Sequence, residues 1–254
     1  MRQGKKNNHH RNNSHATNHN DERNFDFDQP TNKKWTHHDL KSIRPLTENQ
    51  NRLFEAFADD ANVLITGSAG SGKTFLSVYL SCLDLFSPET KYEKLVIVRS
   101  AVAVRSQGFL PGTLEEKQTV FEAPYTDIFN SLFKYHNTYN HMKKAGIVEF
   151  MTTSYLRGLT WDNTIVIAEE MQNADFSEIS TIMTRVGRYS KVILTGDTKQ
   201  NDLDRTREKS GLEKAQRVIE HMPNRFEHIN FTTDDIVRSG FVKDWVVACE
   251  HLGF

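Results

Sequence analysis

The sequence predicts an α/β domain in which a mainly parallel β-sheet is covered by helices on both faces. Two observations support this fold class. Short apolar runs of strand length alternate with stretches of helical periodicity, a pattern typical of parallel sheets built from β-α-β units. One of those runs, residues 62–66, leads directly into a glycine-rich loop, after which a helical pattern begins.

The elements follow in chain order from Leu46, where residues 46–50 open an amphipathic helix. Pro124 lies inside the helical stretch 115–133 and favours its division into two helices, because proline removes a hydrogen bond and clashes with the preceding turn. The predicted strands are residues 62–66, 95–98, 147–151, 164–168 and 191–195. The other predicted helices are residues 75–85, 178–186, 212–221 and 242–252.

The composition changes at about residue 45. Residues 1–45 contain six of the eleven histidines, nine Lys/Arg and five Asp/Glu, with few aliphatic side chains. Such a segment buries too little apolar surface to offset its ordering entropy, so we expect a disordered Asn/His-rich arm over 1–45 and one domain over 46–254. The histidine pairs at 9–10 and 37–38 suit a metal, but without accompanying Cys or carboxylate groups a solvated tail is favoured.

Charge and cysteine content exclude several classes of protein. The net charge of −1 does not indicate a nucleic-acid binder. Two distant cysteines, Cys82 and Cys249, exclude a disulfide framework or a CxxC zinc site, which fits a reducing compartment. No run of 18 apolar residues predicts a membrane span, so we expect a cytoplasmic protein with no membrane partner.

Residues 67–74 read GSAGSGKT and match the phosphate-binding pattern GxxxxGK[ST] in full. Glycines let the backbone N–H groups turn toward phosphate oxygens, and the following helix adds its positive N-terminus. Lys73 is expected to reach the β- and γ-phosphates of ATP, and Thr74 to supply a hydroxyl to Mg²⁺. The alternative is a flexible Gly/Ser turn. The predicted nucleotide-binding residues are Gln50, Gly67, Ser68, Ala69, Gly70, Ser71, Gly72, Lys73, Thr74 and Phe75.

A carboxylate pair ends the apolar run at residues 164–168. A phosphate loop needs a carboxylate at the end of a nearby buried strand to hold Mg²⁺, and Glu169 has that position. Glu170 is then the candidate general base that activates water. The alternative is the ordinary enrichment of acidic residues at a helix N-terminus.

Polar residues also follow the apolar run at 191–195. Ligands of open α/β sheets lie at the carboxyl ends of the strands, so Gln200 is a candidate γ-phosphate sensor. The alternative is that Gly196 and Asp197 only form a turn.

The ordered motifs resemble the PhoH-like P-loop ATPases, which are similar to the first RecA-like domain of superfamily 1 helicases. The resemblance covers residue 46 to the C-terminus. Beyond the phosphate loop, it rests on residues 46–50 (LTENQ), 98–100 (VRS), 108–112 (GFLPG), 116–117 (EK), 156–160 (LRGLT), 170–173 (EMQN), 184–187 (TRVG), 195–197 (TGD) with Gln200, 210–212 (SGL) and 235–238 (DIVR).

The resemblance implies a RecA-like fold and further site residues. Arg238 is implied as an arginine finger or sensor acting across a subunit interface, with Arg185 and Arg157 as second choices. Gln50 corresponds to a glutamine that contacts adenine, although Thr47 and Gln50 also fit a helix capping box. Residues 108–112 are either a plain loop or a contact to nucleic acid or a neighbouring subunit. The family usually has Asp-Glu where this chain has Glu169 followed by Glu170.

The sequence therefore predicts an ATP-binding, Mg²⁺-dependent ATPase. By resemblance to short PhoH-like proteins of bacteriophages, we expect a host-cytosol protein that acts on RNA or single-stranded DNA as a helicase-like motor. One RecA-like domain lacks the second domain that closes over ATP, so a homo-oligomer is expected, and the family suggests a hexamer. The alternatives are a nucleotide-gated binding or assembly module with slow hydrolysis and, least favoured, a small-molecule kinase.

Overall fold

The computed structural model describes residues 34–100, 114–156, 158–197, 211–222, 224–237 and 239–252. Its strands are β1 (Asn62–Gly67), β2 (Lys94–Arg99), β3 (Val148–Thr152), β4 (Thr164–Glu169), β5 (Lys191–Gly196) and β6 (Phe226–Phe231). Its α-helices are α1 (Glu48–Ala58), α2 (Lys73–Leu85), α3 (Leu114–Leu132), α4 (Thr138–Lys144), α5 (Phe176–Met183), α6 (Leu212–Glu220) and α7 (Gly240–Leu252). Short 3-10 helices lie at His37–Asp39, Thr153–Tyr155, Met171–Asn173 and Thr233–Asp235.

The strands form one sheet in the order β3-β2-β4-β5-β1-β6, and every pairing is parallel. The carboxyl ends of the strands therefore meet at one edge. Strand β5 lies between β1, which leads into the phosphate loop, and β4, which ends in the carboxylate pair. This confirms the predicted α/β fold with a parallel sheet.

The four inner strands β1, β2, β4 and β5 are buried on both sides, so their alternate residues enter two separate cores. Val63, Ile65 and Ile193 belong to the core beneath α1 to α4. Leu64 and Leu194 belong to the core beneath α5 and α6. Continuous apolar runs rather than alternating ones are what such a doubly covered parallel sheet requires, and helices on both faces are confirmed.

Residues 34–45 differ from the expected disordered arm. Trp35 and Leu40 are buried, Leu40 forms an antiparallel bridge with Phe133, and the Trp35 ring lies edge-on to Phe133 at 5.6 Å. The prediction relied on the mostly polar composition of residues 1–45 and overlooked the two apolar side chains Trp35 and Leu40, which pack against the domain. The boundary at residue 45 is therefore corrected to at or before residue 34, and the rest of the predicted arm lies outside the described residues.

Helix α3 and strand β6 also differ from expectation. Helix α3 runs unbroken through Pro124, because its buried side chains Phe121, Tyr125 and Phe129 hold one face against the core. Strand β6 was not predicted, since its alternating residues at the sheet edge form no continuous apolar run. No α-helix among the described segments is long and apolar enough to cross a membrane.

Candidate phosphate-binding site

The loop between β1 and α2 has the backbone geometry that its glycines predict. Gly70 and Gly72 have φ of +79° and +88°, in the left-handed region that disfavours side chains. Gly67 lies so close to the Phe231 carbonyl of β6 that a Cβ atom has no room. The buried Ser71 hydroxyl donates to the Ser68 carbonyl oxygen at 2.8 Å and closes the loop on itself.

Lys73 is the first residue of α2 and folds back over this loop. Its Nζ donates to the carbonyl oxygens of Gly67 and Ser68, at 2.7 and 2.8 Å. Burial lowers the pKa of Lys73, while the charges of Asp197, Glu170 and Glu169 act in the opposite direction. Within the part of the chain that the structure describes, Lys73 forms no ion pair, so its charge is available to an anion.

Glu169, the last residue of β4, is 5% exposed and reaches two hydroxyl groups. Thr74 donates its hydroxyl to Oε1 of Glu169, and Tyr125 of α3 donates its phenol to Oε2. Burial raises the pKa of Glu169, and these two hydrogen bonds oppose that rise. The structure thus brings together Thr74 and Glu169, the two residues predicted to hold the metal. It also shows that Tyr125, which was not predicted, holds the Glu169 carboxylate.

Glu170 lies beside the loop with a different environment from Glu169. It is only partly buried, has a left-handed φ of 57°, and accepts a 2.6 Å hydrogen bond from Nε2 of Gln172. Gln172 also accepts a 3.0 Å bond from the backbone N–H of Asp197, which follows β5. Gln172 therefore ties the ends of β4 and β5 together and holds the Glu170 carboxylate in place.

Gln50 lies on the opposite wall of the same pocket and is 5% exposed. Thr47 caps α1 by accepting from the Gln50 N–H at 3.3 Å, so the capping interpretation is correct as far as the backbone is concerned. The Gln50 side chain does not complete the box, because its Oε1 accepts from Leu46 N at 2.9 Å. Among the described residues no hydrogen bond engages the Gln50 amide NH₂, so this group is available to a ligand.

Asp235 joins this wall to the segment before α7. Its carboxylate accepts from the hydroxyl of Thr47 and, at 2.9 Å, from Nδ2 of Asn49. Asp235 is 2% exposed, and Val237, two residues later, lines the pocket. The chain therefore positions residues 236–237 against the start of α1.

An open pocket beside these groups has a volume of about 530 Å³, within the range of small-molecule sites. It is lined by Ile43, Arg44, Leu46, Gln50, residues 69–76, Ile128, Glu170 and Val237. Among the described residues no cluster of three or more His, Cys, Asp or Glu forms a protein-only metal site. Magnesium is commonly held by one or two carboxylates together with substrate phosphates, and the oxygen donors Thr74 and Glu169 fit that mode.

Other predicted residues are not brought to this pocket or lie outside the described residues. Gln200, Arg238, Arg157 and residues 108–112 are in the latter group. The backbone of Arg185 pairs with Trp161, ahead of the amino end of β4 and thus a strand length away from Glu169. Within one chain, Arg185 is therefore not among the residues that line the phosphate pocket, and its role across a subunit interface stays a prediction.

Tyr125 and Asp235 are the contributors that sequence reasoning missed as site residues. Tyr125 lies 44 positions from Glu169 in the chain, and Asp235 lies 188 from Thr47. Asp235 lies in the motif at residues 235–238. Tyr125 has no sequence signal other than its helical spacing from the apolar residues Phe121 and Phe129.

Comparison with known proteins places the chain among related sequences. The family model described as PhoH-like protein matches residues 42–250. The PhoH-like protein of Bacillus subtilis is 35% identical over 209 residues, covering 82% of this chain and 64% of that protein. That of Mycobacterium leprae is 31% identical over 211 residues, covering 82% and 58%. The chain thus spans about three-fifths of the length of these relatives.

Solved structures are less similar. The large terminase of a thermophilic bacteriophage aligns at 11% identity with a TM-score of 0.47, covering 80% of this chain and 50% of that one. A likeness of this size carries no functional argument.

Proposed function

The chain belongs to the PhoH-like protein family, and from this membership and the geometry of its phosphate loop we propose that it binds ATP with Mg²⁺ and hydrolyses it. The observation that carries the proposal is that Lys73, Thr74 and Glu170 line one pocket, with Glu169 hydrogen-bonded to Thr74, although β5 separates β1 from β4 in the sheet.

Each residue has a distinct role in the proposed reaction. Lys73 exchanges its two loop carbonyls for the β- and γ-phosphates and neutralises their charge. Thr74 and Glu169 hold Mg²⁺, which when bound withdraws charge from the phosphate oxygens. Glu170, partly exposed and oriented by Gln172, accepts a proton from the attacking water.

We further propose that a homo-oligomer couples hydrolysis to RNA or single-stranded DNA. The support is the helicase-like motif order and the need for a second surface over the open pocket. Gln200 and Arg238 keep their proposed roles as γ-phosphate sensor and arginine finger, with a hexamer as the proposed assembly. We propose a cytoplasmic location.

One observation favours the alternative, a nucleotide-gated module with slow hydrolysis. Glu169 is almost fully buried, and this burial raises its pKa. A carboxyl group whose protonated form is favoured binds Mg²⁺ less readily, which opposes fast turnover.

The test is ATP turnover by the purified full chain and by Lys73→Ala, with and without single-stranded RNA or DNA, on fractions of known mass. We expect turnover that requires Mg²⁺ and Lys73. Stimulation by nucleic acid supports the motor, whereas tight binding with slow, unstimulated turnover supports the module. Equal turnover by both proteins would remove the proposed catalytic site.

A further inference from the structure

Helix α7 carries an apolar stripe that its own molecule leaves in solvent. Phe241, Trp245 and Leu252 are 76%, 65% and 69% exposed, and Ala248 between them is also exposed. Spacings of four, three and four residues place all four on one face of the helix. Monomeric proteins rarely expose contiguous apolar patches of more than a few hundred Å², so this stripe indicates a binding surface.

A groove on the other core face has unpartnered apolar walls. It lies between α5 and α6, has a volume of about 530 Å³, and has Val192 at the start of β5 in its floor. Phe176, Val218 and Met222 on its rim are 37%, 47% and 41% exposed. No described residue of α7 lines this groove, so the helix of a molecule does not fill the groove of the same molecule.

We propose that α7 of one copy of the chain docks in the α5–α6 groove of a second copy. Binding of an amphipathic helix in an apolar groove uses anchors spaced three and four residues apart, as the stripe provides. Two fully buried aromatic side chains amount to about 300–500 Å². Phe241 and Trp245 are 76% and 65% exposed, so they can still bury about 200–350 Å² of that area. A stable interface buries about 800 Å² per partner, so these two side chains supply roughly a third of what a lasting contact needs.

Charge at the edges of the two surfaces is complementary. Asp244 lies between Phe241 and Trp245 on α7 and is exposed. Arg225 lines the groove at the start of β6 and is also exposed. A helix seated in the groove with Asp244 beside Arg225 pairs these charges at the rim, where they favour one orientation more than they add affinity.

Two different surfaces meet in this contact, so the association is head-to-tail. Such contacts close into rings when the rotation between copies allows it. The inference gives the oligomer of the proposed function its contact surface, yet it rests on α7 and the groove rather than on the nucleotide site. Val237 lines the phosphate pocket three residues before α7 begins at Gly240, so the amino end of the docking helix lies near the phosphate pocket of its own molecule.

The experiment separates the two halves of the contact. Trp245→Glu damages the helix but keeps the groove, and Val218→Glu damages the groove but keeps the helix. Lys214→Glu, an exposed position of α6 outside the groove, is the matched control. Mass is measured by light scattering on the full chain without nucleotide and with ATP·Mg²⁺. Thermal melting checks folding, and Met222→Glu replaces Val218→Glu if the latter unfolds.

We expect wild type and Lys214→Glu to exceed the 29.3 kDa mass of one chain, and each damaging variant alone to have the mass of one chain. An equimolar mixture of the two variants is expected to double that mass, because one intact helix meets one intact groove. A wild type of single-chain mass, variants that keep the wild-type mass, or a mixture that stays at one chain would each overturn the proposal. ATP binding measured on the same samples reports on the proposed function separately.

Discussion

Two lysines, the partly buried Lys73 and the fully buried Lys191, lie near opposite ends of helix α2 and have opposite environments. Lys73 begins the helix and, among the described residues, donates hydrogen bonds only to the carbonyls of its own loop. Lys191, 1% exposed at the start of β5, pairs with Asp84 near the other end of α2 and lies 3.5 Å from Asp60. Its Nζ also lies 4.3 Å from the centre of the Phe57 ring.

The comparison distinguishes a lysine that stabilises the fold from one kept for a ligand. Carboxylates and an aromatic face compensate the charge of Lys191 within the protein. The charge of Lys73 is left uncompensated by any ion pair among the described residues, and burial lowers its pKa. An anion bound in the phosphate pocket would provide the negative charge that pairs with Lys73. Replacing lysine by methionine should therefore have different effects at positions 73 and 191.

The largest expected effect is on turnover in Lys73→Met. Loss of a charge aimed at the phosphates should reduce ATP turnover roughly 10²–10³-fold, as removal of one stabilising donor does in other enzymes. The melting temperature should not fall, because no ion pair is lost. Steady-state phosphate release and calorimetry check both halves. Lower stability with unchanged turnover would assign Lys73 to the fold and end the contrast.

Lys191→Met should show the reverse pattern. Breaking a buried ion pair lowers the free energy of unfolding by about 3–5 kcal/mol. Asp84 and Asp60 are partly exposed, so we expect the lower end of this range, about 3 kcal/mol. Such a loss lowers the melting temperature by roughly 6–12 °C. ATP affinity of the folded protein should not change.

Lys91→Met is the matched control for Lys191→Met. Lys91 also pairs with Asp60, but both side chains are more than 40% exposed. An exposed pair contributes at most about 1 kcal/mol. Equal destabilisation by the two substitutions, measured by denaturant unfolding, would show that burial is not what makes Lys191 important.

Tyr125→Phe tests how the metal carboxylate is positioned. Without the phenol, Glu169 loses one of its two hydrogen bonds, and the Mg²⁺ concentration for half-maximal turnover should rise roughly tenfold. Tyr139→Phe removes a buried phenol that donates to Glu122 at 3.0 Å in the same core. This control should leave the Mg²⁺ dependence unchanged, and a shift of the same size in both variants would indicate a general packing effect.

The smallest expected effect is the pH dependence of stability. Burial makes the pKa of Lys73 lower in the folded than in the unfolded chain, so its charge costs stability at neutral pH. This cost disappears as pH rises from the folded-state pKa to the unfolded-state pKa. Lys73→Met should therefore melt slightly above wild type at pH 7, with a gap that narrows toward alkaline pH. Melting curves between pH 7 and about pH 10 check the sign, and a gap that widens would contradict it.

Much of the fold and part of the site were predictable because the signals are local. The phosphate loop directly connects β1 to α2, so the loop motif and the strand and helix that flank it are recognised in one continuous stretch of sequence. Glu169 follows a continuous apolar run, which is what a strand buried on both faces must show. Local signals thus fixed the sheet core, the loop and the carboxylate pair.

The remainder depends on contacts between distant positions. Tyr125 meets Glu169 only because α3 packs against α2 and α4 in the folded chain, and no sequence spacing reports that contact. Strand β6 at the sheet edge alternates exposed and buried residues and so lacks an apolar run. Trp35 is ordered by its contact with Phe133, almost a hundred positions away.

ATP binding and phosphate release measured together on wild type and Glu170→Gln test the central claim most directly. Glu170 is proposed to activate water while Lys73 and Thr74 bind the nucleotide, so the substitution should leave ATP affinity within about twofold and reduce phosphate release at least about a hundredfold. Phosphate release by Glu170→Gln at the wild-type rate, or a wild type that does not bind ATP, would contradict the account.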